Sequence, residues 1–183
     1  MSLKVSAYFA ASLDGYIARQ NGSINWLNEA SANIPKGEDC GYKAFMDSVD
    51  VLVMGRKTFE QVLTFGEWSY GEKPVVVLSS MPISIPSSLP ISVSNSSEAP
   101  RSLCARLESN GAEHIYVDGG ATIQGFLAED LVDEIVVTVI PIVLGSGISP
   151  FGELEQDLKL VQLGANVYEF GFVQIKYLVQ RNA

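Results

Sequence analysis

The chain has 183 residues, 47% hydrophobic and 18% charged, with a formal net charge of −9. That length suits one domain over residues 1–183 with a sizeable core, and that balance excludes a disordered chain. The acidic charge excludes a general nucleic-acid or anionic-membrane surface, since both need a basic field; only a small local basic site remains open.

Lys4 to Ala11 reads as a first strand. Its apolar run from Val5 is too short for a signal peptide, and Asp14 soon interrupts it, so a cytoplasmic protein is expected. SLDGYIARQNGSI follows as a turn-rich loop, marked by Asp14-Gly15 and Asn21-Gly22. Asp39 to Val49 predicts a helix, with Tyr42, Phe45, Met46 and Val49 at helical spacing. Val51 to Met54 is a short continuous apolar run, the pattern of a buried parallel strand. Lys57 to Leu63 predicts a short helix, and Pro74 to Leu78 another buried strand.

Ser79 to Pro100 is rich in Ser and Pro and reads as loop, with one short strand near Ile91 to Val93. Glu98 to Ser109 predicts a helix, Ile115 to Val117 a strand, and Gly119 to Ala128 a helix begun by a glycine pair. Asp133 to Ile140 reads as a β-branched strand whose first two residues lie on a solvated face. Leu158 to Leu163 and Val167 to Val179 predict a closing antiparallel hairpin. Strands alternating with helices, then an all-strand finish, give an α/β fold with a mixed, mostly parallel sheet and an antiparallel edge.

Two strand-to-helix junctions carry the chemistry. In VMGRKTFE, Gly55 lets the backbone turn close to a ligand, and the helix start offers free N–H groups to a phosphate. Arg56 can fork onto phosphate oxygens, Lys57 adds a point charge and Thr58 a hydroxyl. The alternative is a solvated helix start with ordinary surface cations. In IYVDGGATIQGFL, Gly119-Gly120 would again turn N–H groups toward a diphosphate, or would serve tight helix–strand packing. Ligands in open α/β sheets sit beyond the carboxyl ends of the strands, so one dinucleotide could span both junctions and the hydroxyls of Ser79 and Ser80.

The remaining candidates are weaker. His114 is the single histidine and reads as structural. Cys40 and Cys104 are the only cysteines and form no CxxC pair, so zinc and disulfide readings lack support. No GxSxG elbow anchors a serine hydrolase. Trp26 and Trp68 could stack on a flat ring, with packing as the default.

ASLDGYIA, VLVMGRKTFE, VVVLSS, VDGGATIQGFL and DEIVVTVIPIVLGSGISPF occur in this order. The series resembles the dihydrofolate-reductase-like superfamily, in its branch related to the C-terminal reductase domain of the bifunctional riboflavin-biosynthesis protein. The resemblance covers about Val5 to Val179 and implies an NADPH-dependent reductase of a small heterocycle. It places Gly55, Arg56, Lys57 and Thr58 on the cofactor phosphates and Ser79 and Ser80 near the 2'-phosphate. Gly119, Gly120, Ala121 and Thr122 match the diphosphate turn; Ala11, Ile17 and the loop around Gly22 match the part that closes over the nicotinamide. Asp39 stands 16 positions before Gly55, the spacing of the catalytic carboxylate in true dihydrofolate reductases. It is either the acid that assists protonation or a helix-start residue that favours the helix dipole. The resemblance also implies a homodimer, for which EIVVTVIPIV could supply an interface or simply core. An authentic dihydrofolate reductase and a non-catalytic NADPH-binding protein that keeps the fold remain the alternatives.

Overall fold

A computed structural model describes residues 3–181. Eight strands form one sheet in the order β4-β3-β2-β5-β1-β6-β8-β7. They are β1 (Lys4–Ser12), β2 (Val51–Gly55), β3 (Val75–Leu78), β4 (Val93–Ser96), β5 (His114–Asp118), β6 (Glu134–Ile140), β7 (Lys159–Val167) and β8 (Val173–Gln180). The first six pair in parallel, whereas β8 runs against both of its neighbours. This is the predicted mixed sheet with an antiparallel edge.

Five helices accompany it: α1 (Asn25–Ser31), α2 (Tyr42–Asp47), α3 (Arg56–Leu63), α4 (Pro100–Ser109) and α5 (Gly120–Ala128). Strands buried on both faces need apolar residues at every position, which is why Val51 to Met54 and Val75 to Val77 read as continuous runs. On one face α4 and α5 bury Leu103, Leu107, Ile123 and Phe126 against Ala7, Val53, Ile115 and Val117. On the other, α2 and α3 cover Leu52, Met54, Val75, Val77 and Tyr116.

Several expectations change, among them the hairpin, in which β7 runs on to Val167 and β8 begins only at Val173. Helix α1 was hidden in a stretch that continues the loop signals, yet Trp26 anchors it at 2% exposure against Cys40, Ile140 and Phe172. Helix α2 is shorter than its apolar spacing suggests, because Cys40 and Gly41 before it both take positive φ. Strand β4 lies two residues later than predicted and pairs Val93 with Val75.

The start of β6 is not a solvated face. Glu134 is buried at 6% exposure and held by Lys4 and Lys176 at 3.2 and 3.0 Å. Asp133 accepts the Val5 N–H at 2.8 Å and pairs with Arg181. EIVVTVI lies inside the sheet between β1 and β8. The exposed edge is β7, all nine residues of which face solvent. Among the described residues no helix is long and apolar enough to cross a membrane.

Candidate active site

The two glycine junctions lie side by side, because β2 and β5 are neighbours and Met54 pairs with Asp118. Gly55 is the N-cap of α3 and Gly119 that of α5; neither helix start carries a side-chain cap. Their first-turn N–H groups are therefore open to a ligand. The helix starts also interlock. A Cβ on Gly119 would meet Thr58 Oγ1 of α3 at 2.2 Å, and one on Gly55 would meet Thr122 Oγ1 of α5 at 3.0 Å. Each threonine thus covers the other helix's glycine. Gly119 has φ +91° and ψ 143°, a conformation restricted to glycine.

Arg56 stands half-exposed at this double start, 3.7 Å from Glu60, and Lys57 is exposed. Gly120 and Thr122 are buried, while Ala121 faces solvent. Uncapped helix starts and two cations suit a diphosphate, while the glycines are required by Thr58, Thr122 and Ile148, which occupy the space a Cβ would take. Ser79 begins the turn after β3, its hydroxyl donating to the Met81 carbonyl at 2.7 Å, and Ser80 is exposed beside it. Both lie at the carboxyl end of the sheet, one strand beyond Gly55.

A pair of loops closes the same end. Buried Ala11 is the penultimate residue of β1, and residues 13–24 lead away from the strand. Asp14 organises the departure: its carboxylate accepts the Ser12 hydroxyl and the N–H groups of Leu144 and Gly145 at 2.7–3.0 Å. Those bonds hold its carboxyl below the usual carboxylate range. Ile17 donates its N–H to the Ile148 carbonyl and lies 3.4 Å from where a Cβ on Gly120 would stand. Gly22 offers its carbonyl to Gln61 of α3 at 3.2 Å. Ile17 thus reaches the start of α5, whereas Gly22 meets the later part of α3; a hollow of about 300 Å³ opens between Arg19, Gln20 and Asn21 and Leu144 and Ser146.

The carboxylates divide into two kinds. Asp39 is exposed, and its two oxygens accept the N–H groups of Gly41 and Lys43, each at 2.9 Å. It does the work of a helix-start residue. Asp118 ends β5 on the α2–α3 side of the sheet, directly before the glycine pair. Its Oδ1 accepts the Gly119 N–H at 2.8 Å. Burial raises its pKa to about 6, against the pull of Gly119 and Tyr116. The Tyr116 hydroxyl donates to the Tyr8 carbonyl at 2.8 Å. Tyr42 and Tyr70 are likewise pushed up, first by burial and then by the negative charge of Asp118. Sequence reading passed over Asp118; the available signal was a carboxylate closing an apolar strand just before a glycine pair.

Tyr8 fixes the floor. Burial raises its pKa to about 12, and its hydroxyl donates to the Cys40 carbonyl at 2.9 Å. Gln174 Nε2 lies 2.9–3.0 Å from the Tyr8 hydroxyl, the Cys40 carbonyl and Thr138 Oγ1, tying the α1–α2 connection to the sheet. His114 is a buried structural residue at the opposite end of β5, bonded to Ser6 Oγ and the Ser48 carbonyl; burial lowers its pKa. It lines a separate hollow of about 460 Å³ behind α2. Among the described residues no group of three His, Cys, Asp or Glu could hold a metal ion.

The chain is 38% identical over 182 residues to the uncharacterised protein YwjB of Bacillus subtilis (strain 168), covering 97% of this chain and 99% of that one. A crystal structure from Shewanella sp. PV-4, described as a candidate riboflavin biosynthesis protein, superposes with a TM-score of 0.90 at 39% identity, over 98% of this chain and all of that one. Dihydrofolate reductase from Enterococcus faecalis, solved with NADP(H), shares the fold alone, at a TM-score of 0.63 and 16% identity over 97% of each chain. The profile of the RibD C-terminal domain matches residues 3–173, so the chain belongs to the RibD C-terminal domain family.

Proposed function

We propose that the protein is an NADPH-dependent reductase of a small nitrogen heterocycle, related to the reductase that acts on 5-amino-6-(5-phosphoribosylamino)uracil. The observation that carries the reading is the interlocked pair of uncapped glycine helix starts at Gly55 and Gly119. Two such starts suit the two phosphates of one dinucleotide. Arg56, Lys57, Ser79 and Ser80 offer the donors that an extra 2'-phosphate would need. When bound, NADPH supplies a hydride and leaves as NADP+. Asp118 holds a proton beside the glycine turn and would pass it to a ring nitrogen as the neighbouring carbon is reduced. It fits this role better than Asp39, whose oxygens are spent on α2. Both cysteines are free and buried, in keeping with a reducing compartment.

The test is titration of the purified protein with NADPH and NADH, followed by tryptophan fluorescence. NADPH-selective saturation is expected. No saturation with either nucleotide would reduce both junctions to packing features and end the reductase reading.

We further propose a homodimer through the outer face of β6, β8 and β7. That face carries Val137, Val139, Ala165, Val167, Val173 and Ile175 and no charged side chain from these strands. At ~3.3 Å per residue and ~4.8 Å per strand, these three-residue stretches make roughly 140 Å² of flat sheet per copy. Phe151, edge-to-face on Phe9, adds an exposed ring on the same side. An uncharged face also lets two copies of an acidic chain meet with least repulsion.

A further inference from the structure

The hollow behind α2 lies toward the amino ends of β1, β5 and β6, where Lys4, His114 and Glu134 begin their strands. It opens between α2 and the β7–β8 edge, and its volume of about 460 Å³ falls within the ~300–1,000 Å³ of small-ligand pockets. Buried Glu134 is one of its lining residues, and the Lys4 and Lys176 ammoniums each hold one of its oxygens, at 3.2 and 3.0 Å. Among the described residues neither lysine forms another ion pair, and both side chains reach solvent, at 41% and 46% exposure. Each ammonium has three N–H donors, of which Glu134 takes one. The other polar lining side chains, among them Tyr8, Ser48, Asn166 and Gln174, are uncharged, and burial keeps the His114 ring neutral at pH 7. Phe45 and Val136 supply apolar wall.

The hollow therefore carries two positive charges against one negative, in a chain of net charge −9. One lysine would neutralise Glu134; the second leaves a positive excess at a place a ligand can reach. Nearby carboxylates are engaged, Asp47 with Lys43 and Asp50 with the N–H groups of Glu113 and His114. The wall is also kept clear where the strand does not demand it. Gly164 pairs with Lys176, and a Cβ there would meet no atom within 4 Å; its φ lies outside the left-handed region. Glycine weakens a strand interior, so one that neither packing nor φ requires marks an approach for a ligand. We propose that this hollow is a second binding site, for a small organic monocarboxylate with a flat apolar body. The carboxylate takes the free donors of Lys4 and Lys176, and the body lies against Phe45 and Val136. A single negative charge matches the excess of one, which a phosphate dianion would overrun. The site is at the opposite end of β5 from Asp118 and stands independently of the reductase reading.

NMR titration of the nitrogen-15-labelled protein tests this with three probes of one shape: benzoate, neutral benzamide and cationic benzamidinium. Benzoate is expected to bind about tenfold more tightly than benzamide, the worth of one charge-assisted contact, and benzamidinium more weakly than either. Its shifts should centre on the N–H groups of Gly41, Ala44 and Gly164 and on the side-chain amides of Asn166 and Gln174. Lys176→Gln should weaken benzoate about fivefold and leave benzamide unchanged. Glu134→Gln removes the competing carboxylate and should tighten benzoate, a gain that a merely structural ion pair would not give. Gly164→Phe, which extends into the hollow, should abolish binding of both. Lys176 and Gly164 are exposed, so those two variants keep the test decisive if Glu134→Gln fails to fold. Equal affinities for the three probes, benzoate shifts centred on Gly55 and Gly119, displacement of benzoate by a lower concentration of inorganic phosphate, or no saturation at millimolar benzoate would overturn the proposal.

Discussion

Gly119→Ala attacks the contact on which the nucleotide reading rests, and its cost can be worked out in two parts. The first is conformational. With φ +91° and ψ 143°, residue 119 occupies a region that only glycine populates freely, so any side chain costs ~1–3 kcal/mol. The second is steric. The new Cβ would stand 2.2 Å from Thr58 Oγ1, and forcing an extra carbon into a filled site costs a further ~1–3 kcal/mol. Removing the Thr58 hydroxyl and methyl leaves its Cβ at 3.4 Å, a tolerable approach. Thr58→Ala in the Gly119→Ala background should therefore recover the steric part and none of the conformational part. Urea denaturation of the four proteins in the cycle gives the coupling directly, expected at ~1–3 kcal/mol. Additive losses, with no coupling, would mean that the two helix starts do not interlock as described. The single variant should also bind NADPH at least tenfold more weakly, since the backbone N–H groups would be displaced.

Asp118→Asn tests the buried acid through stability. The folded pKa, about 6, lies above the ordinary carboxylate value of 3.8, so the folded state holds the proton more firmly and stability falls as pH rises from about 4 to about 6. The variant, which keeps an oxygen for the Gly119 N–H, should be up to ~3 kcal/mol more stable than the native protein at pH 8 and no more stable at pH 3.5; a constant difference would remove the burial account. Arg56→Ala should weaken NADPH more than NADH in a fluorescence titration, whereas equal losses would detach Arg56 from the 2'-phosphate. Val167→Asp, on the 82% exposed end of β7, should convert a dimer to monomer by light scattering, and a native protein that is already monomeric would refute that interface.

What the sequence disclosed follows from which forces act locally. Buried parallel strands betray themselves by unbroken apolar runs, and glycine at a strand end marks a turn, so VLVMG and VVVL were placed within a residue. The closing hairpin was visible from its strand-prone residues, although β7 is exposed throughout and the break between the strands falls at residues 168–172, not before Val167. Helix α1 was not, because its seven residues offer a single buried anchor, Trp26, and no side-chain cap. Glu134 was misjudged because a charge within a strand is ordinarily solvated; only the fold brings Lys4 and Lys176 to it. The sequence separations involved, 130 residues from Lys4 and 42 from Lys176, carry no periodic signal.

The acid shows the same limit in a functional residue. The family resemblance directs attention to Asp39, sixteen positions before Gly55. Nothing in that spacing says whether its oxygens are free, and in the fold they are bound to the start of α2. Asp118 gains its character from burial, set against the pull of the Gly119 N–H and Tyr116, and its negative charge in turn helps to push up Tyr42 on α2 and Tyr70 on the α3–β3 connection. An environment of that kind disfavours the charged form and costs stability at neutral pH. A strand end filled with Asn or Thr in place of Asp118 would satisfy Gly119 without that cost. The persistence of a destabilising group beside the open end of the sheet is therefore better explained by chemistry performed there than by folding.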